Sequence, residues 1–447
     1  MRSRSIKLLI LVASTCASAL ALAQPQTNSP YSRLGLGDIN SPYFTAIEQM
    51  GGLGAAYHDY YQTNLVNPAS LGFLRATSFE VGIAAEQIGW NDKGLDQVNT
   101  VRQGNLQYLS LAFPMRSPLE EVLERKTPTS FWTMGIALVP YSTVGYEIEA
   151  TSEEPEIGEV SYLFRGEGGN YRVWWNNAWR YKSFSVGLGL GYQFGKIERR
   201  QEIVPADVAF SYQNSIENDF NINAFLWNLG VQYEHFLDAS AETDLSALKK
   251  SPSLTFGAYG HSATSFNTRT DDLWLKVNLS TQRIDTVSVL NAARGEGRLP
   301  AEFGFGVMFR NRDILKIGAD FAMATWSQYR NDARPGEQLR DTWRLGAGAE
   351  WSPDPTSYNN FAKRLRYRLG AHVGTDPRSI GGSQLTMAGV SIGVGLPVVM
   401  RQDVSFVNVG FEIGRRGSTD VLQGTYGRVT LGFTMNDNTW FYKRKFN

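Results

Sequence analysis

The chain is poor in the residues that usually carry chemistry. It has one cysteine, Cys16, and four histidines in 447 residues. Cys16 falls inside an apolar, small-residue run from Leu8 to Ala23, preceded by Arg2, Arg4 and Lys7. A basic stretch, an apolar stretch and the triplet Ala21-Leu22-Ala23 are the three parts of a secretory signal, with cleavage before Gln24. The run is shorter than the ~20 residues of a spanning helix, and Ala13-Ser14-Thr15 is a poor lipobox for Cys16. The exported chain is therefore expected to hold no cysteine, which excludes disulfides, thiolate metal sites and thiol nucleophiles. His58, His235, His261 and His372 are scattered without metal-ligand spacing. G-x-S-x-G, P-loop and dinucleotide motifs are missing. Gly187, Gly189 and Gly191 form a G-x-G-x-G inside a strand pattern rather than at a strand–helix turn. No catalytic residue, metal or cofactor is expected, and an enzyme is not.

An excess of one charge is missing too. The 43 basic and 43 acidic residues balance, and losing Arg2, Arg4 and Lys7 with the signal leaves the acids three ahead. Nothing there calls for nucleic acid as a partner. After residue 23 no apolar run approaches the length of a spanning helix, so a membrane location would require a closed β-barrel.

What the chain does have is alternation. Phe184, Val186, Leu188, Leu190, Tyr192 and Phe194 alternate with Ser185, Gly187, Gly189, Gly191 and Gln193. Phe303, Phe305, Val307 and Phe309 alternate with Glu302, Gly304, Gly306 and Arg310. Leu365, Tyr367, Leu369, Ala371 and Val373 are set against Arg364, Arg366, Arg368, Gly370 and His372. Aromatic and aliphatic residues on one face, with glycine and charge on the other, is the pattern of a strand between lipid and a lumen. The fold class is all-β: a transmembrane antiparallel barrel of about fourteen strands filling residues 76–436. The expected strands are 77–89, 105–114, 130–149, 158–181, 183–202, 219–236, 252–268, 300–310, 313–330, 339–352, 364–374, 384–397, 403–415 and 424–435. The short turns Lys182-Ser183 and Asn311-Arg312-Asp313 suit the periplasmic side, and the polar stretch 269–299 reads as a long outer loop. An even count puts both termini in the periplasm. Residues 115–129 and 237–251 read as short amphipathic helices.

Residues 24–75 do not alternate. They carry Met50-Gly51-Gly52-Leu53-Gly54-Ala55-Ala56 and then Asn64-Leu65-Val66-Asn67-Pro68-Ala69. Small residues allow close backbone packing, and Pro68 with Asn64 and Asn67 fixes turns. About fifty such residues ahead of the first strand suit a hatch folded inside the lumen. This segment resembles the N-terminal hatch of the long-chain fatty acid outer-membrane transporter (FadL-like) family. Leu299-Pro300 and Trp326-Ser327 resemble it as well. The resemblance implies a fourteen-stranded barrel whose hatch, through Gly51, Gly52, Gly54, Asn64, Asn67, Pro68 and Ala69, gates passive uptake of fatty acids or aromatic hydrocarbons. It also implies lateral exit through a kinked third strand. Pro140, with Tyr141, lies in the third strand here, and proline cannot donate to the ladder.

Trp174, Trp175, Trp326 and Tyr329 are the candidate outer ligand-binding rings. The inward charges Glu80, Glu86, Glu302, Arg310, Lys316, Asp320, Arg344, Glu350, Arg364, Arg366, Arg368 and Glu412 are expected to pair with each other and with the hatch. The tail 437–447, with Trp440, Phe441, Tyr442 and Phe446, departs from barrels that end on the last strand. It leaves a second function open: a non-transporting barrel, an accessory component of a cell-surface secretion or envelope complex. The expected partners are outer-membrane lipids of a Gram-negative envelope, a hydrophobic small molecule, and a periplasmic or outer-membrane protein.

Overall fold

The computed structural model describes residues 29–437, apart from 93–96, 117–128, 156–157, 206–211, 239–250, 279, 282, 401–402 and 419. The signal, most of the two expected periplasmic helices and nearly all of the C-terminal tail lie outside the described residues.

Fourteen strands close into an antiparallel barrel. They are β1 (Ser78–Asp92), β2 (Gln97–Pro114), β3 (Ser130–Glu154), β4 (Gly158–Tyr181), β5 (Phe184–Pro205) and β6 (Tyr212–Phe236). β7 is interrupted, Ser253–His261 and then Thr264–Asn278, and β8 is interrupted beside it, Ile284–Leu299 and then Glu302–Asn311. β9 (Leu315–Ala324), β10 (Thr342–Trp351), β11 (Arg366–Ile380), β12 (Ser383–Met400), β13 (Asp403–Gly417) and β14 (Leu422–Asn436) complete the wall. Closure runs along β14 and β1, from Asn436↔Ser78 to Leu422↔Asp92. Along the paired strands, backbone groups thereby meet partners without help from water, which lipid cannot give. The two-residue turn between β4 and β5 places Lys182 at φ 51°, and the three-residue turn between β8 and β9 places Arg312 at φ 54°.

The period-two pattern sorts side chains as expected. Phe184, Leu188, Leu190, Tyr192 and Phe194 face outward and exposed, while Ser185 and Gln193 are fully buried inside. Three expectations need correction. The stretch 269–299 is not a loop: it forms the far parts of β7 and β8, paired from Leu299↔Thr264 to Ile284↔Val277. Its charged residues, among them Asp271, Asp272, Arg283 and Asp285, mask the strand pattern. The strand expected over 313–330 ends at Ala324, followed by a 3-10 turn at Trp326–Gln328. Arg364 is likewise not an inward strand residue; it closes the short helix Phe361–Arg364 ahead of β11.

The N-terminal residues 29–76 run within the wall and are mostly buried. They contact strands around the whole circumference, and the glycines of the inner face are what admits them. A methyl group at Gly187 of β5 would strike the backbone of Pro68 and Ala69, and one at Gly370 of β11 the backbone of Met50 and Gly51. Gly51 and Gly52 themselves turn through φ 72° and 82°, a region open to glycine at little cost. Tyr43, Ile47, Met50, Leu53, Ala55, Ala56, Tyr57 and Val66 form an interior cluster with Tyr259 and Met308.

Candidate functional site

Asn67 is the best-anchored residue of the N-terminal segment. Its Nδ2 donates to the carbonyls of Ala55 (2.7 Å), Val231 (3.2 Å) and Ala258 (3.2 Å), so it ties the segment to both β6 and β7. Its Oδ1 accepts from Ala69 N at 3.1 Å and caps the turn that opens with Pro68. Asn64 braces the same fold from inside, donating to Gly54 O at 2.7 Å and Tyr57 O at 2.9 Å. From the wall, Asp320 accepts from Ala55 N at 2.5 Å and Arg344 donates to Gly51 O at 3.0 Å.

Toward the end where the chain enters and leaves the barrel lies a buried charged layer. Asp59 meets Lys316 Nζ and Arg366 NH1, both at 2.8 Å. Glu350 meets Lys316 at 2.9 Å and Arg368 at 2.7 Å. Glu234 gathers Arg310, Arg180, His58 and Ser253. Buried charges are costly alone, and here each is offset by several partners. Within the segment, burial pushes the His58 imidazole down to about 3. Burial alone would raise the Asp59 carboxyl, but Arg366 and Lys316 hold it well below the usual range.

The wall is not uniform. β2 and β3 pair over six residues only, from Pro114↔Thr133 to Leu109↔Leu138. Beyond that point, residues 97–108 of β2 and 139–154 of β3 have no pairing with each other among the described residues. Pro140 lies two residues past the last pair, opposite the outward Tyr171 of β4, and Tyr141 is an extra residue in the β3–β4 ladder. The free edge of β3 is covered instead by the N-terminal segment: Asp38↔Thr143, Ile39↔Ser142, Asn40 N to Tyr141 O and Ser29 N to Gly145 O.

A cavity of about 330 Å³ lies behind this gap. Ile39, Pro42, Tyr43, Leu106, Pro140, Tyr141, Met323 and Trp343 give it apolar surface; Arg172, Glu302 and Arg344 add charge. The Arg172 guanidinium lies 3.4 Å from the Tyr141 ring centroid and donates to Gln193 at 2.9 Å. Arg344 lies 4.6 Å from the Tyr43 ring centroid. Such cation–ring contacts hold rings in place beside an apolar space.

Pro140 and Tyr141 therefore border the cavity, while Gly51, Gly52, Gly54, Asn64, Asn67, Pro68 and Ala69 pack the segment elsewhere in the lumen. The four aromatic candidates divide. Trp175 faces outward, paired beside Ile136. Trp174 is half-buried against an interior apolar cluster. Trp326 and Tyr329 are not outside: they are 5% and 1% exposed within that cluster, because the chain turns inward after Ala324. Only Trp326 of the four lines the cavity. Arg172 was legible in principle, sharing the inward parity of Trp174; Leu106 and Gln107 were not, because a bulge sets their facing.

A family model described as BamG matches residues 5–447. No curated protein matches the sequence. Among solved structures, the Ralstonia pickettii toluene transporter TbuX aligns at 14% identity with a TM-score of 0.53, over 89% of this chain and 99% of its own. The Pseudomonas putida toluene transporter TodX aligns at 13% identity and 0.53, over 90% and 99%. A Pseudomonas aeruginosa FadL homologue aligns at 11% identity and 0.54, over 89% and 99%. At these identities the likeness is one of fold, the FadL-type outer-membrane barrel. Matched by its family model over nearly its whole length, the chain belongs to the BamG family.

Proposed function

We propose that the protein is an outer-membrane channel for small hydrophobic molecules, which rest in the cavity beside Tyr43 and leave sideways between β2 and β3. The observation that carries this reading is the coincidence of the cavity with the place where the β2–β3 ladder stops. An apolar solute gains roughly 25 cal/mol for each Å² taken out of water, and a side exit into lipid lets it keep that gain. The buried charged layer around Asp59 and Glu234 argues against passage straight through the barrel, since a solute would have to displace ion pairs without replacing them. Residues 24–75 then act as a hatch, with Asn67-Pro68-Ala69 as fixed seat and residues 38–43 as the part next to the exit. The toluene transporters of the same fold support a cargo of fatty-acid or aromatic-hydrocarbon type. The termini face the periplasm in this arrangement. A photoreactive aliphatic probe tests it: cross-links at Tyr43, Ile39 or Tyr141 are expected, and labelling confined to the outer apolar belt contradicts the reading.

One observation favours the second role, an accessory barrel in an envelope complex. Much of the cavity lining is charged and already paired, as in Arg378 with Asp38 (2.5 Å) and Arg428 with Glu86 (2.7 Å). Deleting residues 437–447 separates the two. Loss of a co-purifying protein with uptake retained favours the accessory role, and no change in co-purification removes the tail as its contact.

A further inference from the structure

The gap carries a second irregularity, on the side away from Pro140. β1 and β2 pair Gly82 with Tyr108 and Ile83 with Leu106, which leaves Gln107 as the extra residue of a β-bulge. Tyr141 is its counterpart on β3. Both strands that border the gap therefore bulge within three residues of their last shared pair, Leu109↔Leu138.

A bulge re-aims its side chain, and Gln107 uses that to reach into the lumen. Its Nε2 donates to Glu48 Oε2 of the N-terminal segment at 2.8 Å. The other Glu48 oxygen accepts from Arg428 at 2.9 Å. Arg428 continues to Glu86 at 2.7 Å, and Glu86 also accepts from Gln103 Nε2 at 2.9 Å. Gln103 and Gln107 both belong to β2, so two glutamines tie the part of that strand that does not pair with β3 to carboxylates on the segment and on β1. Gln107 Oε1 is buried without a partner, so its anchorage comes through the amide nitrogen.

We infer that Gln107 is a positioning residue that holds the side opening, keeping the β2 edge turned from β3 through Glu48. Backbone groups without partners are costly in a membrane, so the β2 edge has reason to turn toward β3, in competition with the segment that covers β3 at residues 141–145, once the anchor is gone. The inference rests on the side-exit reading for its functional meaning and on the Gln107–Glu48 contact for its geometry.

The test uses spin labels at Arg102→Cys and Glu147→Cys, on the two strands beyond their last pair, in the full-length barrel. Gln107→Val removes the donor. Gln107→Glu sets a second carboxylate against Glu48, and the swap Gln107→Glu with Glu48→Gln restores a donor and an acceptor in reversed sense. The label distance is expected to shorten by several ångströms in both single variants and to return in the swap, with the heat-shifted gel migration of a folded barrel unchanged in all. Single variants that keep the wild-type distance, or a swap that fails to restore it, overturn the inference. Uptake of a labelled aliphatic acid by the same samples separates the two ideas. A shortened distance with unchanged uptake keeps the latch and removes the side exit, whereas reduced uptake at an unchanged distance removes the latch.

Discussion

Single residues decide how firmly the N-terminal segment sits. Asn67 spends its whole carboxamide on four backbone groups, and a buried group left without its partner costs about 1–3 kcal/mol. Asn67→Ala is therefore expected to weaken the seating of residues 44–76 by about 2–4 kcal/mol. The measurement is protease protection of that stretch in urea, with the barrel's heat-shifted migration as control; unchanged protection would contradict it. His58 makes the seating sensitive to acid. Its ring stacks on Phe73 at 3.8 Å between centroids, and burial lowers it from 6.5 to about 3, so the neutral form is the one that fits. With fewer protons bound in the seated state, its contribution is full above about 6.5 and is lost as pH falls toward 3. Asp59, also depressed, adds its loss only at lower pH, below the ordinary carboxylate value. Protection of residues 44–76 is expected to stay level at neutral and alkaline pH and to decline below about 6.5. His58→Phe should remove the first part of that decline. At this scale the Asn67-Pro68-Ala69 motif was readable from the chain, because turn chemistry is local. Gln107 was not, because register between strands creates its bulge and no local pattern records it.

Among elements, the strands inside the lipid were legible and the strands beyond it were not. β4 and β5 read cleanly because lipid and lumen impose opposite demands on alternate residues. The far hairpin of β7 and β8 carries Asp271, Asp272, Lys276, Arg283 and Asp285 among its β-branched residues, and so reads as a polar loop. Its backbone bonds are made mostly to β6 and within the hairpin. Replacing residues 271–292 with a two-residue turn is expected to leave the barrel folded and its heat-shifted migration unchanged; loss of folding would show that the hairpin is needed to assemble the wall. The tight turns make a smaller prediction. Lys182 and Arg312 occupy the left-handed region, which costs a side-chain-bearing residue about 1–2 kcal/mol. Glycine at either position should stabilise the barrel by about 0.5–1 kcal/mol, measured as a raised urea midpoint.

For the whole molecule, a wall with two solvents fixed the barrel, and the inner glycines fixed where polypeptide could lie against it. The sequence could not show that the ladder between β2 and β3 stops at Leu109↔Leu138 with a cavity behind it, since that is a relation between distant residues. Pro140 was its one visible trace. Restoring an N–H at that position, with a β-branched residue suited to a strand, should let pairing run further up β3 and narrow the gap. The most direct test is uptake of a labelled long-chain fatty acid by proteoliposomes holding either the natural barrel or Pro140→Val, matched for folded protein. A side exit predicts uptake by the natural barrel above empty liposomes and a severalfold fall in Pro140→Val. Equal uptake by the two barrels, or none above empty liposomes, would contradict it.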